Sequence, residues 1–147
     1  MVKKHLFVII FSLLVMPLLA QSRDKSFDNF WNVFRNAVLK NDFKKLDSLT
    51  SFPLIVKGTL DRDPIKRFTR DKFQFIFKHY LKQNNGDLSG TALDDIKRTE
   101  RVGATDNNAA SMKLIRVSDM IFRKINSRWK LYLVYIDTEY QRENNIK

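Results

Sequence analysis

Apolar positions along this chain change period, and each change marks a different kind of element. Phe27, Phe30, Trp31, Phe34 and Val38 recur at three- and four-residue steps, which places them on one stripe of an amphipathic helix. Ser26 stands where an N-cap is expected, and Asp28 follows in the first turn, where the helix dipole favours negative charge. Asn41 and Asp42 interrupt the stripe. Phe43, Leu46 and Leu49 then predict a second, shorter helix that Pro53 ends. Residues 52–56 read as a short strand, with Pro53 confining it to a strand start or a sheet edge. Gly58 and residues 61–64 carry turn chemistry. Thr69 is placed to cap a third helix bearing Phe73, Ile76, Phe77, Tyr80 and Leu81 at the helical period, closed by Asn84-Asn85-Gly86.

From residue 91 the period falls to two. Residues 93–102 predict a faint strand turned by 103–108, and residues 111–117 and 120–125 predict two more. Asn126-Ser127 is a compact hairpin turn leading into the longest strand, 129–136. One face of that strand reads Trp129, Leu131, Leu133, Tyr135; the other reads Lys130, Tyr132, Val134, Ile136. An antiparallel sheet can leave one face wet, yet both faces here are largely apolar, so a second subunit or a chain terminus is expected to cover Tyr132, Val134 and Ile136. Helices first and strands afterwards predict an α+β fold, with N-terminal helices packed in a curved antiparallel sheet.

The start of the chain follows a different pattern. Lys3 and Lys4 precede an apolar run from Leu6 to Val15, then Met16-Pro17-Leu18-Leu19-Ala20, after which the chain turns polar. This is the order of a secretory signal peptide, residues 1–20, with Ala20 as the last residue removed. The rival is an uncleaved anchor, but spanning a bilayer takes about 20 apolar residues, and this run is shorter and contains Pro17. The expected product is a single domain, 21–147, periplasmic or secreted, with no stable membrane insertion after cleavage. It has no Cys, so its fold must rest on its core.

Charge changes the picture less than its size promises. Removing Lys3 and Lys4 from 27 basic and 16 acidic residues leaves a formal charge of +9. The main basic concentration, Arg62, Lys66, Arg67, Arg70 and Lys72, is interrupted by Asp61, Asp63 and Asp71. Elsewhere single Lys and Arg residues alternate with apolar ones, as on solvated faces. Nucleic acid is therefore not the expected partner; weak attraction to anionic glycan or lipid is a lesser reading.

Two local patterns, Phe27-x-x-Phe-Trp-x-x-Phe-x-x-Ala-Val followed by Asn41-Asp42, and Phe122-Arg-Lys-Ile-Asn-Ser-Arg-Trp-Lys-Leu, resemble the opening helices and the closing hairpin of the nuclear transport factor 2-like (SnoaL-like) superfamily. That resemblance implies a cone-shaped α+β fold. The superfamily holds isomerases, dehydratases, cyclases and hydrolases as well as non-enzymatic binding domains, so fold alone does not choose a function. Its enzymes generally work in the mouth of the cone, with an Asp, His or Tyr among apolar walls. No such motif falls on matching positions here.

The candidate pocket residues are Trp31, Phe34, Phe77, Tyr80, Asp94 and Tyr135. Aromatic walls with a phenol hydroxyl would suit a small apolar ligand, and the same rings could equally fill a core. Asp94 and Asp95, on a strand, would point to opposite faces, leaving one of them to line the cone as a lone base with its pKa raised by burial. His79, the single His beyond the leader, falls nearer the wet side of its helix. One His and no Cys exclude the usual zinc sites; Asp61-x-Asp63 lacks the Gly and distal Glu of a calcium loop. No phosphate loop or nucleophile elbow is present, and no metal or cofactor is expected. The favoured reading is an exported non-catalytic binding or protein-interaction domain, with a homodimer through the sheet as one partner. The alternative is a small cone-pocket isomerase, dehydratase or hydrolase using a lone Asp or Tyr as acid and base.

Overall fold

The structure, a computed structural model, describes residues 25–84, 90–102 and 114–147. The leader at 1–20, the helix-closing Asn85-Gly86, the turn at 103–108 and the first residues of the predicted strand at 111–113 lie outside the described residues. Helices α1 (Lys25–Leu39), α2 (Phe43–Ser48), α3 (Phe73–Lys82), α4 (Ala92–Arg98) and α5 (Thr138–Glu143) accompany strands β1 (Thr50–Lys57), β2 (Ile65–Phe68), β3 (Leu114–Val117), β4 (Met120–Ile125) and β5 (Arg128–Tyr135). The fold is α+β.

Local chemistry accounts for most boundaries. Asn41 takes a left-handed φ of 54° after α1, a conformation that Asn tolerates better than most residues. Asp42 then caps α2 by accepting from Lys45 N at 2.9 Å. Asn126 and Ser127 both have positive φ, 47° and 63°, the requirement of a two-residue hairpin turn whose twist matches its strands. Ser26 is not a cap. It lies inside α1, and its hydroxyl accepts the Trp129 indole N–H at 3.1 Å.

The sheet runs β2-β1-β5-β4-β3, with β1 and β5 parallel and the other pairs antiparallel. It is therefore mixed, not antiparallel throughout. Residues 58–127 separate β1 from β5, about half of the chain, which leaves room for the long crossover that a parallel pair needs. Pro53 neither ends α2 nor marks an edge, because β1 lies between β2 and β5. Thr50 pairs with Leu131 and Ile55 with Leu133, so the β1 chain bulges around Pro53, where a missing N–H breaks no ladder bond.

A second bulge settles the two apolar faces of the last strand. Phe122 opposes Leu131 and Ile121 opposes Leu133, which leaves Tyr132 as an extra residue on β5. The inserted residue swaps the parity of all that follow. Trp129, Leu131, Val134 and Ile136 are consequently all buried in the core. Tyr132, Leu133 and Tyr135 are half-buried on the other side. Val134 and Ile136 need no second subunit to cover them. The chain terminus contributes instead: Ile146 is buried, and its carbonyl accepts from Lys66 Nζ at 2.7 Å.

The helices cover the inner face. Phe122 is the hub, with the rings of Phe27, Phe30, Trp31 and Phe34 within 5.1–5.9 Å of it. Such edge contacts add about 0.5–1.5 kcal/mol per pair beyond area burial. Gln83, buried after α3, donates to Tyr135 O at 3.2 Å and accepts from Asp137 N at 2.8 Å, so it joins α3 to the end of β5. Residues 93–102 do not form a strand; α4 occupies most of them.

Candidate functional site

The six pocket candidates separate into an interior group and two strays. Trp31, Phe34, Phe77 and Tyr80 form a continuous chain of rings at 6.0, 6.0 and 5.6 Å, all at 0–1% exposure. The other two lie elsewhere. Tyr135 is half-buried on the opposite face of the sheet, where Arg116 covers its ring at 5.1 Å. Asp94 sits in the first turn of α4, and with Thr91 it forms a capping box.

That placement reverses the expected chemistry of Asp94. The backbone N–H of Thr91 at 3.1 Å, the Thr91 hydroxyl at 2.8 Å and Lys97 at 3.2 Å hold its carboxyl down at about 2. Hydrogen bonds to the charged form, not burial, set it. A carboxylate whose pKa is lowered in the folded state stabilises the fold above its unfolded value and loses that contribution as pH falls through the folded one. Asp94→Asn is thus expected to lower Tm at pH 7 but not at about pH 2, with the difference disappearing between about pH 4 and about pH 2. Melting curves across that range check it; an equal shift at every pH would show that charge plays no part. Asp95 is likewise engaged, paired with Arg98 and accepting from Ser118 Oγ at 3.2 Å.

Tyr80 is the unusual member of the interior group. Its hydroxyl is buried and has no hydrogen-bond partner among the described residues. Burial, with Asp119 and Asp95 nearby, pushes its pKa far up. His79 on the same helix is half-buried, not solvent-facing: its ring packs on Phe75 at 4.6 Å, and Nδ1 lies 3.5 Å from the Tyr140 hydroxyl. Burial, then Lys82, lowers its pKa. Asp63 accepts from Leu60 N at 2.8 Å and Asp61 faces Lys57 at 3.7 Å, so both are turn residues. Among the described residues, no group of three His, Cys, Asp or Glu could hold a metal.

Beside α1, a polar groove of about 520 Å³ is lined by Asp28, Asn32, Arg35, Glu100 and Arg101, with Trp31 at its wall. Its charges are mixed. The residues around it serve α4: Arg35 donates to Ile96 O at 3.0 Å and to Lys97 O at 2.6 Å, and Trp31 Nε1 donates to Thr99 O at 2.9 Å. These bonds satisfy carbonyls left open at the helix C-terminus.

The outer face of the sheet has a different character. No Asp or Glu occurs in any of the five strands. The ionisable side chains that alternation directs outward are Tyr132, Tyr135 and six basic residues, Lys57, Arg67, Arg116, Arg123, Arg128 and Lys130. Register aligns one row across all five strands: Arg67, Ile55, Leu133, Ile121, Arg116. Three half-buried aliphatics form its centre and an arginine stands at each end. The row was hidden in the sequence because each member belongs to a different strand, and single basic residues among apolar ones look like separate wet faces. Only the pairing register gathers them.

Comparison with protein-family models, with curated proteins and with solved structures returns no match.

Proposed function

We propose that this chain is an exported, non-catalytic binding or protein-interaction domain of the nuclear transport factor 2-like kind, working through its outer sheet face. The observation that carries the proposal is the packed interior. Trp31, Phe34, Phe77 and Tyr80, the rings that would wall a cone pocket, are in contact with one another and 0–1% exposed. The likeness to the superfamily draws support from the helices laid against one face of a five-stranded sheet and from the closing hairpin with its Asn126-Ser127 turn.

General acid–base work is most efficient with a pKa near the operating pH. Asp94 is held at about 2 and Tyr80 is raised far above neutral, which speaks against the alternative of a cone-pocket isomerase, dehydratase or hydrolase. No helix among the described residues is long and apolar enough to cross a membrane.

The interior is tested by titrating the labelled protein with small ring compounds such as indole and cyclohexanone, following the amide signals of Trp31 and Tyr80. No saturable shift is expected. A saturable shift at those residues would overturn the proposal in favour of a pocket. Export is checked separately by fractionation, which should recover protein outside the cytoplasm beginning at Gln21; a full-length membrane-bound species would refute cleavage.

A further inference from the structure

The apolar row on the outer face ends in cations, and a ligand for it must match both features. Adjacent strands lie about 4.8 Å apart, so four spacings put Arg67 and Arg116 about 19 Å apart across the sheet. An extended polypeptide rises about 3.3 Å per residue with alternate side chains on one side. Seven residues therefore cover the row, presenting their first, third, fifth and seventh side chains to it. We propose that this face docks an acidic-ended, apolar-centred segment of a partner protein, its carboxylates on Arg67 and Arg116 and its apolar side chains on Ile55, Leu133 and Ile121. The proposal rests on the reading of the chain as an interaction domain.

Charge complementarity is the first argument. The strands supply no acid to neutralise the face. At its rim Asp119 faces Arg116 at 3.2 Å and Asp61 faces Lys57 at 3.7 Å. Among the described residues no carboxylate lies within 4.0 Å of Arg67, Arg123 or Arg128. A planar guanidinium is the group best suited to a carboxylate fork.

The remaining arguments concern the other occupants. A second copy meeting this face about a two-fold axis would set the same patch against itself, cation against cation. Sugars and bases bind by stacking on open aromatic faces, but Arg123 lies over Tyr132 at 5.2 Å and Arg116 over Tyr135 at 5.1 Å. A lipid surface would meet the arginines, yet Ile55, Leu133 and Ile121 are half-buried between their neighbours and would not enter the acyl layer. An acidic polypeptide brings carboxylates and its own apolar side chains to the floor between them.

The test uses the blocked peptide Glu-Thr-Leu-Thr-Leu-Thr-Glu against the labelled protein. Expected are saturable shifts at Ile55, Leu133 and Ile121, and binding that is at least ten-fold weaker with Ser in place of both Leu. Raising salt from about 0.05 to about 0.5 M should weaken it further. Arg67→Glu/Arg116→Glu should lose the peptide and gain the Lys-ended counterpart; Arg67→Gln/Arg116→Gln, milder for folding, should lose both. Circular dichroism verifies that each variant is folded. No binding would overturn the proposal, as would heparin or phosphatidylglycerol vesicles shifting these residues while the peptide does not. A dimer through this face that strengthens with salt would also overturn it, in favour of a second copy. A failure here leaves the Trp31 and Tyr80 signals silent to ring compounds, whereas failure of the broader reading moves them.

Discussion

Trp31→Ala is expected to destabilise the fold by about 3–5 kcal/mol, a large fraction of the roughly 5–15 kcal/mol that holds a domain together. Two separate losses combine. The indole is 1% exposed, stacked on Phe34 at 6.0 Å and edge-on to Phe122 at 5.9 Å, so truncation leaves a cavity at the junction of α1 and the sheet. The same ring donates to Thr99 O at 2.9 Å, so truncation also strips a hydrogen bond from the end of α4. Trp31→Phe separates the two, since it retains most of the ring but removes the donor. It should cost about 1–2 kcal/mol, and both variants should speed amide exchange in α4. Chemical denaturation gives the two values. A loss below about 1 kcal/mol for Trp31→Ala would mean that α1 does not seal the core.

How much of this was legible in the sequence depends on whether the deciding interaction was local. The α1 stripe, the Asn41-Asp42 break and the Asn126-Ser127 turn are written in adjacent residues, and each appears where the pattern placed it. α4 reads as a faint strand because its three apolar positions, Ala92, Leu93 and Ile96, span little more than one turn and are too few to fix a period. A readable signal was there in Thr91-x-x-Asp94, the spacing of a capping box. α5 had one too, with Asp137 accepting from Glu139 and Tyr140 N–H groups at 2.9 and 3.0 Å. β2 had none: Ile65–Phe68 is a strand through its pairing with β1. Nor could β5 alone reveal the extra residue at Tyr132, because a bulge exists only relative to a partner strand. That one residue decides which side of the sheet Val134 and Leu133 occupy, and so decides the candidate site. Among the site residues, Tyr80 was legible as part of an apolar stripe, whereas Arg67 and Arg116 acquire meaning only through register.

Tyr80→Phe should move stability the other way, raising it by about 1–2 kcal/mol. Most core substitutions destabilise, and this one is expected to help because of what it removes. Among the described residues the Tyr80 hydroxyl is buried without a hydrogen-bond partner, and leaving a polar group so placed costs about 1–3 kcal/mol relative to an apolar replacement of the same shape. Phenylalanine keeps the ring and its 5.6 Å contact with Phe77 and gives up only the oxygen. The measurement also separates the two functional readings. Burial and the fields of Asp119 and Asp95 keep the phenol protonated through the physiological range, so it cannot serve as a resting phenolate base. A gain in stability, with peptide binding at the outer face unchanged, marks the interior as a passive core that carries one uncompensated polar atom. A loss above about 1 kcal/mol would mean that the hydroxyl has a partner in solution, and the interior would again be a place to look for a ligand.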